Sequence, residues 1–328
     1  MDKLIYGASR SFRDTVDLAK RYGKSPWPVL ITGETGVGKE GVAQLVHESS
    51  DRRKERFTAV NCGALPLGLV ESELFGYERG AFSGAAQSSR GLVRQARGGT
   101  LFLDEVGDLD FPSQVKLLRL LDSGEVRSLG GEQSEKVDIR IIAATNVDLV
   151  TAVREKRFRH DLLERLSVLP LQLPPLRNRR EDIFPLAQHF AAIAGTSMRE
   201  DTETVLLQYE WPGNIRQLRN TIIRASFETN TTIGPNLLRR CLEREKGRGL
   251  KSGNQSPYTG TLEEIEKRAI VDRLRLCQGN RKQTAKELGI AKSTLHEKLR
   301  KWNEHAPMPW PAGRHSENDA ALLSHMGR

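Results

Sequence analysis

The stretch PVLITGETGVGKE, residues 28–40, decides the fold. A short apolar run leads into Gly33–Glu40, and Val42, Leu45 and Val46 then follow at helical spacing. A G-x-x-x-x-G-K segment between a buried strand and a helix lets backbone N–H groups turn inward around phosphates, and the helix N-terminus adds partial positive charge. Gly33, Glu34, Thr35, Gly36, Val37, Gly38, Lys39 and Glu40 are therefore the expected nucleotide cradle, with Lys39 reaching the outer phosphates. Glu40 stands where such loops usually place the Ser or Thr that holds magnesium, so a metal must lean on other groups and water.

Working outward, PVLIT, TLFLDE and IRIIAATN read as buried strands separated by amphipathic stretches between Trp27 and about Leu173. That alternation predicts an α/β fold, a parallel sheet covered by helices. GGTLFLDE, residues 98–105, ends in two acids: Asp104 suits magnesium and Glu105 suits water activation, unless the pair simply caps the next turn. Thr145 and Asn146 close another strand, where a polar side chain can reach the γ-phosphate or its attacking water. RFRHDLLERL, residues 157–166, offers Arg159 and Arg165, with two readings open. One is an i,i+4 ion pair of Asp161 with Arg165; the other is an arginine finger supplied by a neighbouring subunit. Arg216 in WPGNIRQLRN either contacts phosphate or salt-bridges on the surface.

The 328 residues divide into an α/β subdomain (1–173), a helical lid without strand signals (174–245), a Gly/Ser/Lys-rich linker (246–260), a helical unit (261–302) and a tail expected to be disordered (303–328). Thr261 and Glu264 have capping-box spacing at the start of the helical unit. The net charge of +9 favours an anionic partner. Between Thr261 and Lys301 there are eleven Lys or Arg against six Asp or Glu, which concentrates the excess there and points to nucleic acid. Cys62, Cys241 and Cys277 form no C-x-x-C pair and read as reduced thiols. No apolar run approaches the roughly 18 residues of a membrane span, and MDKLIYGASR has no signal-peptide pattern, so a cytoplasmic protein without a membrane partner is expected.

GNRKQTAKELGIAKSTLHEKLRKW, residues 279–302, carries two short helical patterns around Gly289 and Ile290. Ala285, Leu288, Ile290, Leu295 and Leu299 suit a small helix-turn-helix core, whose second helix enters the major groove of double-stranded DNA. Lys292, His296, Lys298, Arg300 and Lys301 line or flank that helix. Lysines on phosphate would supply affinity and salt dependence, with few side chains able to make bidentate base contacts.

Six blocks in order, GETGVGKE, ESELFGYERGAFSGA, GGTLFLDE, FRHDLLERL, LPPLRNRREDI and WPGNIRQLRN, resemble the AAA+ domain of bacterial enhancer-binding proteins, the activators of sigma-54 RNA polymerase. The resemblance covers Tyr6 to about Glu245. It implies a P-loop ATPase using ATP and Mg2+, and assembly from dimer to hexamer with sites between subunits. Arg159 and Arg165 would act in trans, Arg216 would be the lid's sensor, and Asn61 would hold the catalytic Glu105. Gly80, Ala81, Phe82, Ser83, Gly84 and Ala85 match the loop usually written GAFTGA, which touches the sigma-54 holoenzyme. Serine in place of threonine keeps the hydroxyl and loses a methyl, so a weaker contact is expected. The C-terminal unit resembles the Fis-type domain of the same activators, by which Asn280, Lys282, Lys292 and Thr294 are DNA-contact candidates; Ser293 is a further candidate. Few residues precede the ATPase domain, so regulation is expected from a separate protein acting in trans, from expression level, or from ligand effects on the ATPase itself. A regulator that uses ATP only to set its oligomeric state, without touching sigma-54, is the alternative; the intact GAFSGA loop argues against it.

Overall fold

Strand β1 (Val29–Thr32) lies inside a five-stranded parallel sheet with β2 (Phe57–Asn61), β3 (Thr100–Asp104), β6 (Arg140–Thr145) and β7 (Leu169–Gln172), in the order β2-β3-β6-β1-β7, hydrogen-bonded on one side to β6 and on the other to β7. The computed structural model describes residues 7, 9–66, 68–82, 84–229, 231–248 and 280–303, with positions 266, 270, 271, 273, 274 and 277. The capping-box pair Thr261 and Glu264, linker residues 249–260 and tail residues 304–328 lie outside them.

Helix α1 (Arg10–Gly23) starts at Ser9, whose hydroxyl accepts from the Phe12 amide, and α2 (Lys39–Glu48) leaves the glycine loop after β1. Then follow β2 (Phe57–Asn61), α3 (Val70–Phe75), α4 (Gly91–Gln95), β3 (Thr100–Asp104), α5 (Phe111–Ser123), the hairpin strands β4 (Glu125–Arg127) and β5 (Ser134–Lys136), β6, α6 (Leu149–Arg154), α7 (His160–Leu166) and β7. The central strands alternate between two cores. Leu30, Leu101, Leu103, Ile141 and Ala143 pack under α3 to α7. Val29, Ile31, Phe102, Ile142 and Ala144 pack under α1 and α2. Burial on both faces explains why these strands read as continuous apolar runs. The edge strands are less legible: β2 buries only Val60, and β7 carries Pro170, which an edge strand tolerates because it need not donate on its outer side.

The lid is built from α8 (Ile183–Ile193), α9 (Glu203–Leu207), α10 (Asn214–Phe227) and α11 (Pro235–Arg248) around a core centred on Trp211, whose indole N–H donates to the Leu206 carbonyl at 2.9 Å. The expectation of a strand-free lid needs correction. Ser197–Met198 (β8) and Thr232–Ile233 (β9) pair in parallel, but two residues each are too few to leave a periodic signal. A separate compact unit begins after Arg248. Within it, α12 (Arg281–Glu287) and α13 (Lys292–Asn303) enclose Ala285 and Leu295 with Ile270, against which Leu288, Ile290 and Leu299 pack.

Candidate active site

The carboxyl ends of β1, β6 and β3 bring together the glycine loop, Asn146 and the Asp104–Glu105 pair. In an open parallel sheet this end is where ligands bind. Lys39 heads α2 and is buried; its Nζ donates to the Gly33 carbonyl at 3.0 Å and lies 3.4 Å from Glu105 Oε1. Glu105 Oε2 accepts from the Asn146 backbone N–H at 3.0 Å, and Asn146 Nδ2 donates to Thr35 Oγ1 at 2.7 Å. Burial, and then the neighbouring Glu105 charge, push the Asp104 carboxyl above its ordinary pKa, with Lys39 pulling the other way.

These groups open onto a cavity of about 290 Å³ with two chemical ends. Thr35 to Gly41, Asp104 and Glu105 form the polar end, while Phe12, Leu186, Phe190 and Ile215 form an apolar end. Arg216, Arg219 and Asn220 line it from α10. Glu34 does not line it. Its carboxylate instead receives both Arg177 guanidinium nitrogens, at 2.8 and 2.6 Å, and the Asn214 amide at 3.1 Å. Sequence reasoning missed Phe12, Leu186, Phe190, Arg177, Arg179 and Asn214. The blocks LPPLRNRREDI and WPGNIRQLRN held three of these, yet neither periodicity nor charge tells which partner a residue meets about 140 to 180 positions away.

Asn61 does not hold Glu105 in this structure. Its Nδ2 donates to Asp104 Oδ2 at 3.4 Å, and its Oδ1 accepts from the Ala64 amide at 3.0 Å. The ion pair of Asp161 with Arg165, one of the two readings, is not formed: Asp161 takes a bidentate contact from Arg159 at 2.9 and 2.6 Å, and Arg165 pairs with Asp122 of α5 at 2.7 Å. Asp161 stands in the first turn beside Arg159, the N-cap residue, so the shorter local contact wins. Neither arginine is among the residues lining the cavity.

The GAFSGA loop is strapped at its base and open at its tip. Tyr77 exchanges backbone hydrogen bonds with Ser89 at 2.9 and 2.8 Å, and Glu78 donates to the carbonyl of Leu129, just past β4, at 2.9 Å. Gly80 donates to the Ala85 carbonyl at 2.9 Å and closes the turn. Gly80 (φ 84°) and Gly84 (φ 112°) adopt backbone conformations that favour glycine. Phe82 is 39% exposed, with its ring edge-on to Tyr77 at 5.0 Å. Ala81 touches the space beside Gly130, Ala85 is buried, and Ser83 lies outside the described residues.

In the C-terminal unit Lys282, Lys292, Ser293, His296 and Arg300 are exposed and Thr294 is half-buried. Asn280 caps α12, its side chain accepting from the Gln283 amide at 3.1 Å, and Lys298 pairs with Glu266 at 2.7 Å.

Comparison with known proteins agrees with this architecture. Residues 5–172 match the sigma-54 interaction domain, residues 177–254 the AAA+ ATPase lid domain, and residues 261–302 the bacterial regulatory protein, Fis family. The DNA-binding transcriptional regulator NtrC of Salmonella typhimurium is 40% identical across 90% of this chain and 69% of its own length. The regulatory protein AtoC of Escherichia coli is 43% identical across 84% of this chain and 62% of its own. The crystal structure of NtrX from Brucella abortus in complex with ATP superposes with a TM-score of 0.68 at 32% identity, covering 91% of this chain and 69% of that one. With a nucleotide cradle, a lid and a helix-turn-helix unit in this order, the chain belongs to the sigma-54-interacting AAA+ ATPases, the NtrC-type transcriptional activators.

Proposed function

We propose that the chain hydrolyses ATP as an oligomeric ring, presses its Phe82 loops against sigma-54 in the polymerase closed complex, and thereby drives opening, while the C-terminal unit holds enhancer DNA. The observation that carries this reading is the loop itself. An aromatic between two positive-φ glycines, with open space around both, is built to move, while its base is tied by backbone hydrogen bonds to Ser89 and to the segment after β4.

In this reading Asp104 would hold magnesium beside the bound nucleotide. The donor set fits: both Asp104 oxygens keep lone pairs beyond the Asn61 and Glu105 N–H contacts. Bound there, the metal would neutralise charge on the transferred phosphoryl group. Glu105 receives the proton of the attacking water, Lys39 holds the outer phosphates, and Arg216 reaches them from the lid. Lys282, Lys292, His296 and Arg300 supply the DNA face, with Ser293 and Thr294 beside them.

Phe82→Ala tests the coupling. The variant is expected to retain ATPase activity while losing sigma-54 capture in the presence of a transition-state analogue, together with open-complex formation. Loss of ATPase alongside sigma-54 binding would make the loop part of the hydrolytic site and refute an output role.

A further inference from the structure

Four consecutive residues of the phosphate loop are each hydrogen-bonded to the lid or to Leu176–Arg179, the connection between β7 and α8 that serves as its hinge. Arg177 and Asn214 hold the Glu34 carboxylate, and Asn214 Nδ2 also donates to the Thr35 carbonyl at 3.1 Å. The Arg216 amide donates to the Gly36 carbonyl at 3.3 Å, and Arg179 Nη2 donates to the Val37 carbonyl at 2.7 Å. Asn214 is fully buried with φ 51°, and its Oδ1 accepts from the Leu176 amide at 2.8 Å. A non-glycine residue persists in that conformation only where its surroundings over-determine it, and here every polar atom of its side chain is used. Asn214 therefore pins three segments at one point: the phosphate loop, the hinge at Leu176–Arg177 and the start of α10.

Glu34 is the one side chain of the loop committed to this joint. It sits in the cradle sequence, yet it faces away from the cavity and toward the cationic hinge. Arg216 and Ile215, which line the cavity, follow Asn214 directly in α10. Holding Asn214 therefore holds the lid wall of the nucleotide site.

We propose that Glu34 is a positioning residue, a latch that fastens the hinge and lid to the phosphate loop through Arg177 and Asn214 and so sets how fast nucleotide leaves. The latch rests on nucleotide binding in this cavity and is independent of any contact with sigma-54. It acts on the rate at which the lid side opens, because its bonds cross the joint rather than the ligand. Arg177 and Glu34 are both about two-fifths exposed, at 44% and 41%, so solvent screens the pair. Bidentate geometry and the third bond from Asn214 raise its worth above that of a simple surface pair.

The test is stopped-flow release of a fluorescent N-methylanthraniloyl ADP from the full chain, with steady-state ATPase on the same proteins. Glu34→Gln keeps the shape of the side chain and removes its charge. Dissociation should accelerate roughly three- to tenfold, the range between an exposed pair and a bidentate charge-assisted one. KM for ATP should rise by more than kcat falls. Arg177→Gln, on the hinge and outside the cradle, should reproduce the effect, and the double variant should be no faster than the faster single one. Release rates within twofold of the parent for both singles, or effects that multiply in the double variant, would overturn the latch. Failure of the unsubstituted chain to bind the ADP analogue would remove the nucleotide site and the latch together.

Discussion

Glu105 occupies a left-handed backbone conformation, φ 51°, which costs a non-glycine residue about 1–3 kcal/mol. The cost is borne where it aims a carboxylate: one oxygen faces Lys39, and the other is fixed by the Asn146 amide. In its proposed role as base, Glu105 held this way would need little rearrangement to meet a water beside the phosphates. Glu105→Gln should therefore keep nucleotide binding, because the cradle is untouched, and lower kcat by about 10²- to 10⁴-fold, the usual worth of a positioned base. Phosphate release and equilibrium binding of an ATP analogue measure the two effects separately. A variant hydrolysing at more than about a tenth of the parental rate would leave Glu105 without the role of base. Cys62, beside Asn61, shows the opposite use of environment. Burial, followed by the charges of Asp104, Asp108 and Glu105, pushes its thiol up to about 12, so it stays protonated and inert at neutral pH.

Among elements, β1, β3 and β6 were legible because burial on both faces leaves unbroken apolar runs, and the residues they deliver are those the motifs named. The helix-turn-helix core was legible for a related reason: its five apolar positions recur at helical spacing and pack together, joined by Ile270. The joint between lid and phosphate loop was not legible. Its contacts depend on close approach of two backbones, and a glycine in a sequence does not say what crowds it. At Gly36 the structure does say. Its φ is 79°, and a Cβ there would lie 2.5 Å from the Gly213 carbonyl oxygen, a backbone atom of the turn that opens α10. Gly36→Ala therefore adds about 1–2 kcal/mol of backbone strain to a collision that must push the lid away. Nucleotide affinity should fall about tenfold or more, a change of about 1.4 kcal/mol, as read by titration with a fluorescent ADP analogue. Affinity within about twofold of the parent would mean that the lid yields at this point without disturbing the site.

At the scale of the whole molecule, the two finger candidates are turned toward carboxylates of their own subunit. Arg159 meets Asp161, and Arg165, with a side chain 62% exposed, meets Asp122. Neither lines the cavity that Lys39, Glu105 and Arg216 share. Were these arginines to serve a nucleotide, it would have to be one held by a neighbour, and a head-to-tail ring supplies that neighbour at every interface. Such a ring makes a complementation prediction that a self-contained site does not. In that arrangement Arg159→Ala subunits would keep an intact cradle and the proposed base but lend no finger, and Glu105→Gln subunits would lend a finger without the proposed base. Each variant alone should be nearly inactive. Mixed in equal amounts before assembly, they should recover about a quarter of the parental ATPase activity, since by random assortment one interface in four joins an intact cradle to an intact finger. Mixing after assembly should recover less, because subunits must first exchange. If no activity returned under conditions where size-exclusion chromatography shows mixed oligomers, Arg159 would belong to its own subunit's structure, and the bidentate contact with Asp161 would be its whole function.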